Sequence, residues 1–312
     1  MGLSGYKEPG PIGQHTSVII LCMKIAFIGL GAMGYPIAGH LAKHQETLVW
    51  NRTFAKAEAH AKEFGSRAVQ LPEVAQAEIL FTCLPTSLEV DQMAHRLLPY
   101  LRPGTLWIDH TSGEPELAQR TARVLQEKGV SYLDACLSGG VAGAVQARAT
   151  VMAGGSPEDF ERARPLMETY ATKIVHVGPL GSGHAVKAVN NALLAVNLWA
   201  LSEGMVALVK QGVDARLALE AINASSGRSN VSENLFAQRV ISREFPNTFA
   251  LGLLAKDMGI CVKVLEAAGT PAPLLRQVRE FFQIAKQEVG HTDVDHTAVA
   301  RLLERWSGVE IK

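Results

Sequence analysis

Residues 23–28, MKIAFI, run straight into Gly29-Leu30-Gly31-Ala32-Met33-Gly34, and helical spacing follows over residues 35–43. A β-prone run, a G-x-G-x-x-G turn and a helix, in that order, leave few folds open. The glycines permit a tight turn, close approach of a polyanion to backbone N–H groups, and packing of the helix on the strand. The positive end of the helix then faces the charge. Gly29, Leu30, Gly31, Ala32, Met33 and Gly34 are therefore predicted to hold the pyrophosphate of a dinucleotide.

The chain beyond this turn repeats the same alternation. TLVW, EILFTCL, TLWID and VSYLD read as further strands, with helical spacing between them over residues 55–64 and 114–128. TVMAGG and KIVHVG flank another helical stretch at residues 157–169. Alternation of this kind predicts an α/β fold, a Rossmann-type doubly wound sheet covered on both faces. Beyond Gly178 the strand signal fades. Residues 181–211 can form one long helix, and 3.6-residue periodicity recurs over 213–223, 250–269, 272–290 and 296–306. The expected organisation is a flexible extension (1–22), a dinucleotide-binding domain (23–178) and an all-α domain for substrate and oligomerisation (179–312), joined through the long helix.

The end of the second strand bears on the choice of dinucleotide. NAD enzymes usually place a carboxylate there for the ribose 2′-hydroxyl. This chain has Asn51-Arg52-Thr53 instead. A guanidinium pairs with a 2′-phosphate, and Asn51 and Thr53 are expected to add hydrogen bonds. NADP is expected as cofactor, with NAD as second choice; the competing reading of Arg52 is a solvated surface arginine.

Composition closes other routes. With 30 basic and 30 acidic residues among 312, there is no overall field to attract nucleic acid or an anionic membrane. The four cysteines, Cys22, Cys83, Cys136 and Cys261, show no metal-ligand spacing, which suits reduced thiols in a cytoplasmic protein with no metal site. The apolar run before Met23 is too short to span a bilayer and lacks the basic start of a secretory signal.

The stretch GSGHAVKAVNNALLAVNLWAL, residues 181–201, is apolar in its second half yet opens with His184, Lys187, Asn190 and Asn191. Buried polar groups need partners. Lys187 and Asn191 lie four apart, on one helix face, and can meet one small ligand. The competing reading is a lysine whose stem covers apolar surface while its amine reaches water.

Taken in order, GLGAMGYPIAGHLAK, NRT, CLPTS, DHTSGEP, DACLSGGVAGA, GSGHAVKAVNNALLA and FALGLLAKDMGI resemble the β-hydroxyacid dehydrogenase family over nearly all of the chain from Met23 onward. The resemblance implies a short β-hydroxy acid or its semialdehyde as substrate and a homodimer or homotetramer. It assigns Lys187 as acid/base, Asn191 as the residue orienting the hydroxyl, and Asn190 and Asn230 to the substrate side. Ser138, Gly139 and Gly140 would hold the carboxylate. Leu84, Pro85 and Ser112 would line the cofactor, and Lys256 would sit beside the nicotinamide and, if close to Lys187, lower that amine's pKa.

Two departures from the family pattern stand out. Cys136 replaces a proline ahead of the SGG loop, which is expected to loosen that loop. Ala147 replaces a glycine and is strained if the position needs positive φ. His184 and His110 lie near the expected cleft, read as pocket lining or surface; His176 reads as structural and Cys136 as a small filler. The rival readings are an NADPH-dependent succinic semialdehyde, glyoxylate or tartronate semialdehyde reductase, an imine reductase (disfavoured by Lys187), and an NADP-binding regulatory module without turnover.

Overall fold

The computed structural model describes residues 23–312. The extension expected at residues 1–22, with Cys22, lies outside the described residues.

Strands β1 (Lys24–Ile28), β2 (Glu46–Trp50), β3 (Arg67–Ala68), β4 (Ile79–Thr82), β5 (Leu106–Asp109), β6 (Ser131–Ser138), β7 (Ala149–Gly154) and β8 (Ala171–Gly178) form one sheet ordered β3-β2-β1-β4-β5-β6-β7-β8. All neighbours pair parallel except β6 and β7. The near-continuous apolar sequences of β1, β4 and β5 follow from burial on both faces. Alternate residues feed different layers. Ile25 and Phe27 join one core, and Ala26 and Ile28 the other.

Helices α1 (Gly34–Ala42), α2 (Phe54–Phe64), α3 (Ser87–Leu97), α4 (Pro115–Gln126), α5 (Gly140–Val145) and α6 (Pro157–Met167) accompany the sheet. The long α7 (Ser182–Lys210) then leads into α8 (Ala215–Asn223), α9 (Leu251–Ala267), α10 (Pro273–Glu288) and α11 (Ala300–Ser307). These helices share a separate core around Ala192, Leu198, Phe236, Met258 and Phe282. The architecture is a Rossmann-type sheet followed by an all-α region. By length and hydropathy alone α7 is apolar enough to cross a membrane. Its buried face instead fills that core, with Ala192, Ala195, Leu198 and Met205 fully covered.

Several elements go beyond the sequence reading, α3 and α5 among them. β3 is only two residues long, and Ser232–Ile241 forms a π-helix.

The site lies where the sheet meets α7. β1 is flanked by β2 and β4, so successive connections leave to opposite sides and open a crevice at the strands' carboxyl ends. The loops after β1, β4 and β5 border it. On the other flank α7 starts hard against β6 and β7. A Cβ at Gly183 would come 2.5 Å from the Met152 carbonyl and 2.6 Å from that of Asp134. Gly183 thus makes room for backbone, not for ligand.

Candidate active site

The phosphate turn is built as its sequence requires. Gly29 has φ 101°, and a Cβ there would meet the Cys83 carbonyl at 2.3 Å; one at Gly34 would meet the Gly29 carbonyl at 2.0 Å. Gly31 has no atom within 4 Å of a Cβ position, so the turn is open on the side a pyrophosphate would approach. Gly31 and Ala32 are exposed, Met33 is half-buried, and a groove of about 590 Å³ along α1 borders Leu30, Gly31 and Ala32. Tight packing behind the turn and free space in front fit a dinucleotide.

The second-strand residues divide their work. Asn51 Oδ1 accepts the Leu30 N–H (3.0 Å) and its Nδ2 donates to the Thr53 carbonyl (3.0 Å). Asn51 thus helps shape the loop, with one amide hydrogen and one lone pair left for the hydrogen bond to the cofactor expected of it. Arg52 and Thr53 are exposed at the crevice edge, beside the start of α2. Leu84 is half-buried and Pro85 exposed after β4, with the Leu84 N–H donating to Thr111 Oγ1 (3.0 Å).

The polar start of α7 finds partners on α9. Asn191 is buried, and its Nδ2 donates to Asp257 Oδ2 at 2.6 Å. Lys256 Nζ lies 2.9 Å from Asp257 Oδ1 and donates to the Ser112 carbonyl at 2.5 Å. Asn190, exposed, donates to Asn191 Oδ1 (3.1 Å). Burial holds the Lys187 amine below the ordinary lysine range; the Asp257 charge and Cys136 push back upward, and Lys256 pushes down. Lys187, Asn191, Lys256 and Ser112 are thus one cluster organised by a residue the sequence reading missed. Asp257 sits beside Lys256 in sequence, and a second charge next to it in the apolar first half of the helix was its signal.

Ser138 ends β6, and Gly139 (φ 116°) and Gly140 (φ 61°) turn into α5, both exposed. A Cβ at Gly140 would meet nothing within 4 Å, so this loop also faces open space. Asn230 is exposed just ahead of the π-helix, and no hydrogen bond among the described residues ties it to the Lys187 cluster. Cys136, expected to loosen the Ser138–Gly140 loop, lies within the strand that leads to it. β6 continues unbroken to Ser138, with Cys136 buried opposite Met152. Ala147 adopts φ 53°, the strained left-handed conformation.

Beneath the cluster are buried acids. Asp134 Oδ1 accepts the Gly181 N–H (2.8 Å) and Oδ2 the His184 N–H (2.7 Å), capping α7 from β6. Burial raises the Asp134 pKa against the opposing pull of His184 and these N–H groups. Asp109 accepts from Thr82 Oγ1, Tyr132 OH and the Thr111 N–H. His110 is structural: its ring lies between the Ala135 carbonyl (2.5 Å) and Tyr170 OH (2.9 Å), and burial pushes its pKa down to about 4. His184 is fully buried rather than at the surface.

Comparison with known proteins agrees with this geometry. Residues 24–178 match the model of the NAD binding domain of 6-phosphogluconate dehydrogenase, and residues 181–303 match that of the NAD-binding region of NADP-dependent 3-hydroxyisobutyrate dehydrogenase. The chain is 34% identical over 297 residues to 2-(hydroxymethyl)glutarate dehydrogenase of Eubacterium barkeri, covering 93% of this chain and 97% of the relative. It is 31% identical over 296 residues to an NAD-dependent L-serine dehydrogenase of Pseudomonas aeruginosa, covering 91% and 99%. The structure of Mycobacterium tuberculosis 3-hydroxyisobutyrate dehydrogenase with L-serine superposes with a TM-score of 0.82 at 30% identity, covering 91% of this chain and 99% of that one. An open phosphate turn, a half-buried lysine on the helix that joins the two regions, and likeness over nearly the whole chain lead to one conclusion: the chain belongs to the β-hydroxyacid dehydrogenase family of NAD(P)-dependent oxidoreductases.

Proposed function

We propose that the protein oxidises the primary alcohol of a 2-substituted 3-hydroxypropionate, HOCH2–CH(R)–COO⁻, to the semialdehyde, with NADP as the hydride acceptor. The substrates named for its relatives, 2-(hydroxymethyl)glutarate, L-serine and 3-hydroxyisobutyrate, share that skeleton and differ only in R. 3-Hydroxyisobutyrate, with R a methyl group, is the first candidate. Run backward, the same site is a semialdehyde reductase.

The observation that carries this reading is Lys187, its pKa lowered by burial, beside Asn191 and the Asp257 carboxylate. The glycine turn and Arg52 would hold the dinucleotide in the crevice, and its nicotinamide would supply the hydride acceptor for the carbinol carbon. Neutral Lys187 takes the hydroxyl proton, so the C–O bond becomes a carbonyl as the C–H pair departs. Asn191, its amide held by Asp257, presents its remaining polar capacity to the substrate oxygen. The Ser138 hydroxyl and the N–H groups of Gly139 and Gly140 take the carboxylate.

The test is absorbance at 340 nm with the three hydroxy acids, each with NADP⁺ and NAD⁺. Turnover of 3-hydroxyisobutyrate with a higher kcat/KM for NADP⁺ is expected; no turnover of any of them overturns the reading. Arg52→Asp should cut kcat/KM for NADP⁺ by about 100-fold, the loss of a charge-assisted pair, and leave NAD⁺ nearly unaffected. Equal losses would assign Arg52 to the solvated surface.

A further inference from the structure

His184 is fully buried, makes specific contacts on three elements, and takes no part in the chemistry above. Its Nδ1 accepts the N–H of Gly113 at 3.3 Å and lies 3.0 Å from Cys136 Sγ, whose thiol also donates to the Thr111 carbonyl at 3.2 Å. An acceptor Nδ1 places the ring proton on Nε2, which faces Asp109 Oδ2 at 3.7 Å. The backbone N–H of the same residue is bound by Asp134. A cysteine, a histidine and an aspartate in line invite a nucleophile reading. Burial rules against it, leaving the Cys136 thiol no exposed surface and pushing its pKa well above the ordinary range.

We propose that His184 is the positioning residue that locks Lys187 and Lys256 into one geometry, through the acceptor Nδ1 that holds Gly113. Gly113 follows Ser112, whose carbonyl binds Lys256 Nζ, while Lys187 stands one turn beyond His184 on α7. There is no slack in the link. A Cβ on Gly113 would fall 2.2 Å from Ser87 Oγ and 3.0 Å from the His184 ring. Losing the acceptor strands a buried N–H, and the loop relieves that only by moving, which carries the Ser112 carbonyl and Lys256 away from Lys187. The inference rests on Lys187 as acid/base.

His184→Asn keeps an acceptor at the Nδ1 position; His184→Gln moves the amide outward, and His184→Leu removes it. At temperatures well below each variant's melting transition, His184→Leu is expected to lower kcat by about 10- to 100-fold, the cost of a misplacement of about 1 Å, with KM and NADP affinity nearly unchanged. His184→Asn restores most of that rate and His184→Gln does not, a comparison that stands if the leucine variant fails to fold. Wild-type kcat in the leucine or glutamine variant, or equal loss in asparagine and glutamine, overturns the proposal. Wild-type inactivity on every hydroxy acid sinks the functional reading instead. A substrate-free readout then decides the positioning role: the pH dependence of Lys187 acylation, followed by mass spectrometry, shifts in His184→Gln and coincides with wild type in His184→Asn. The opposite pattern, or no shift in either, overturns it.

Discussion

At the scale of single residues, the catalytic proposal turns on the charge around one amine. Alcohol oxidation needs Lys187 neutral, so its rate rises with pH through a pKa that burial has brought below the ordinary lysine range. Asp257 is the opposing influence, its charge favouring the protonated amine. Asp257→Asn removes that charge while keeping an acceptor for Asn191. The rising limb of the oxidation pH–rate profile should therefore move to lower pH, and a shift upward would contradict the assignment. Lys187→Arg keeps the positive charge but cannot give up its proton at working pH. Oxidation should fall by about 10²- to 10⁴-fold, with NADP affinity, read by fluorescence titration, close to wild type. Lys187 and Asn191 were legible because they share one helix and one face. Asp257 was not, because its partner Asn191 lies 66 residues away and only the fold brings them together.

Among elements, the decisive contact is the start of α7 against the β6–β7 pair. The sequence around Gly183 does not say what the glycine must clear. The answer, two backbone carbonyls, means that a side chain there cannot be accommodated by a rotamer change. Gly183→Ala should destabilise the protein by about 1–3 kcal/mol and lower kcat as Lys187 is pushed off its position; an unchanged urea midpoint would show that the helix end yields freely. Ala147 makes the converse case. Its left-handed φ of 53° costs about 1 kcal/mol for a residue with a Cβ. Ala147→Gly should raise the midpoint, by less than that cost because glycine also loses more freedom on folding. The long strands and amphipathic helices were legible from periodicity. The two-residue β3, the antiparallel turn of β7 against β6 and the π-helix were not, since pairing direction and helix winding depend on neighbours remote in sequence.

For the molecule as a whole, the helical core lies apart from the two that cover the sheet, and a buried carboxylate pins it. Asp295 accepts from the Thr248 and Phe249 N–H groups, from the Thr297 N–H and hydroxyl, and from Arg239. It thereby ties the π-helix, the approach to α9 and the turn before α11 together. Burial by itself would raise its pKa; hydrogen bonds and charge from His296, with the Thr297 donors, outweigh that and hold it well below the usual carboxylate range. A depressed folded-state pKa stabilises the fold at any pH above the unfolded value, about 3.9, and that contribution drains away as pH falls through the folded one. Asp295→Asn should thus cost about 3 kcal/mol at neutral pH, because donors and Arg239 lose their acceptor, and progressively less below about pH 4. Trp199 and Trp306 pack with Phe281 inside this region, with Trp199 stacked on the Phe281 ring at 4.3 Å between centroids, so with Trp50 and Trp107 of the sheet replaced by phenylalanine in both proteins, tryptophan fluorescence reports on its unfolding. Urea midpoints for the two proteins that converge on acidification support the carboxylate as the pin. A gap that stays constant from neutral to acid pH would assign the loss to packing alone.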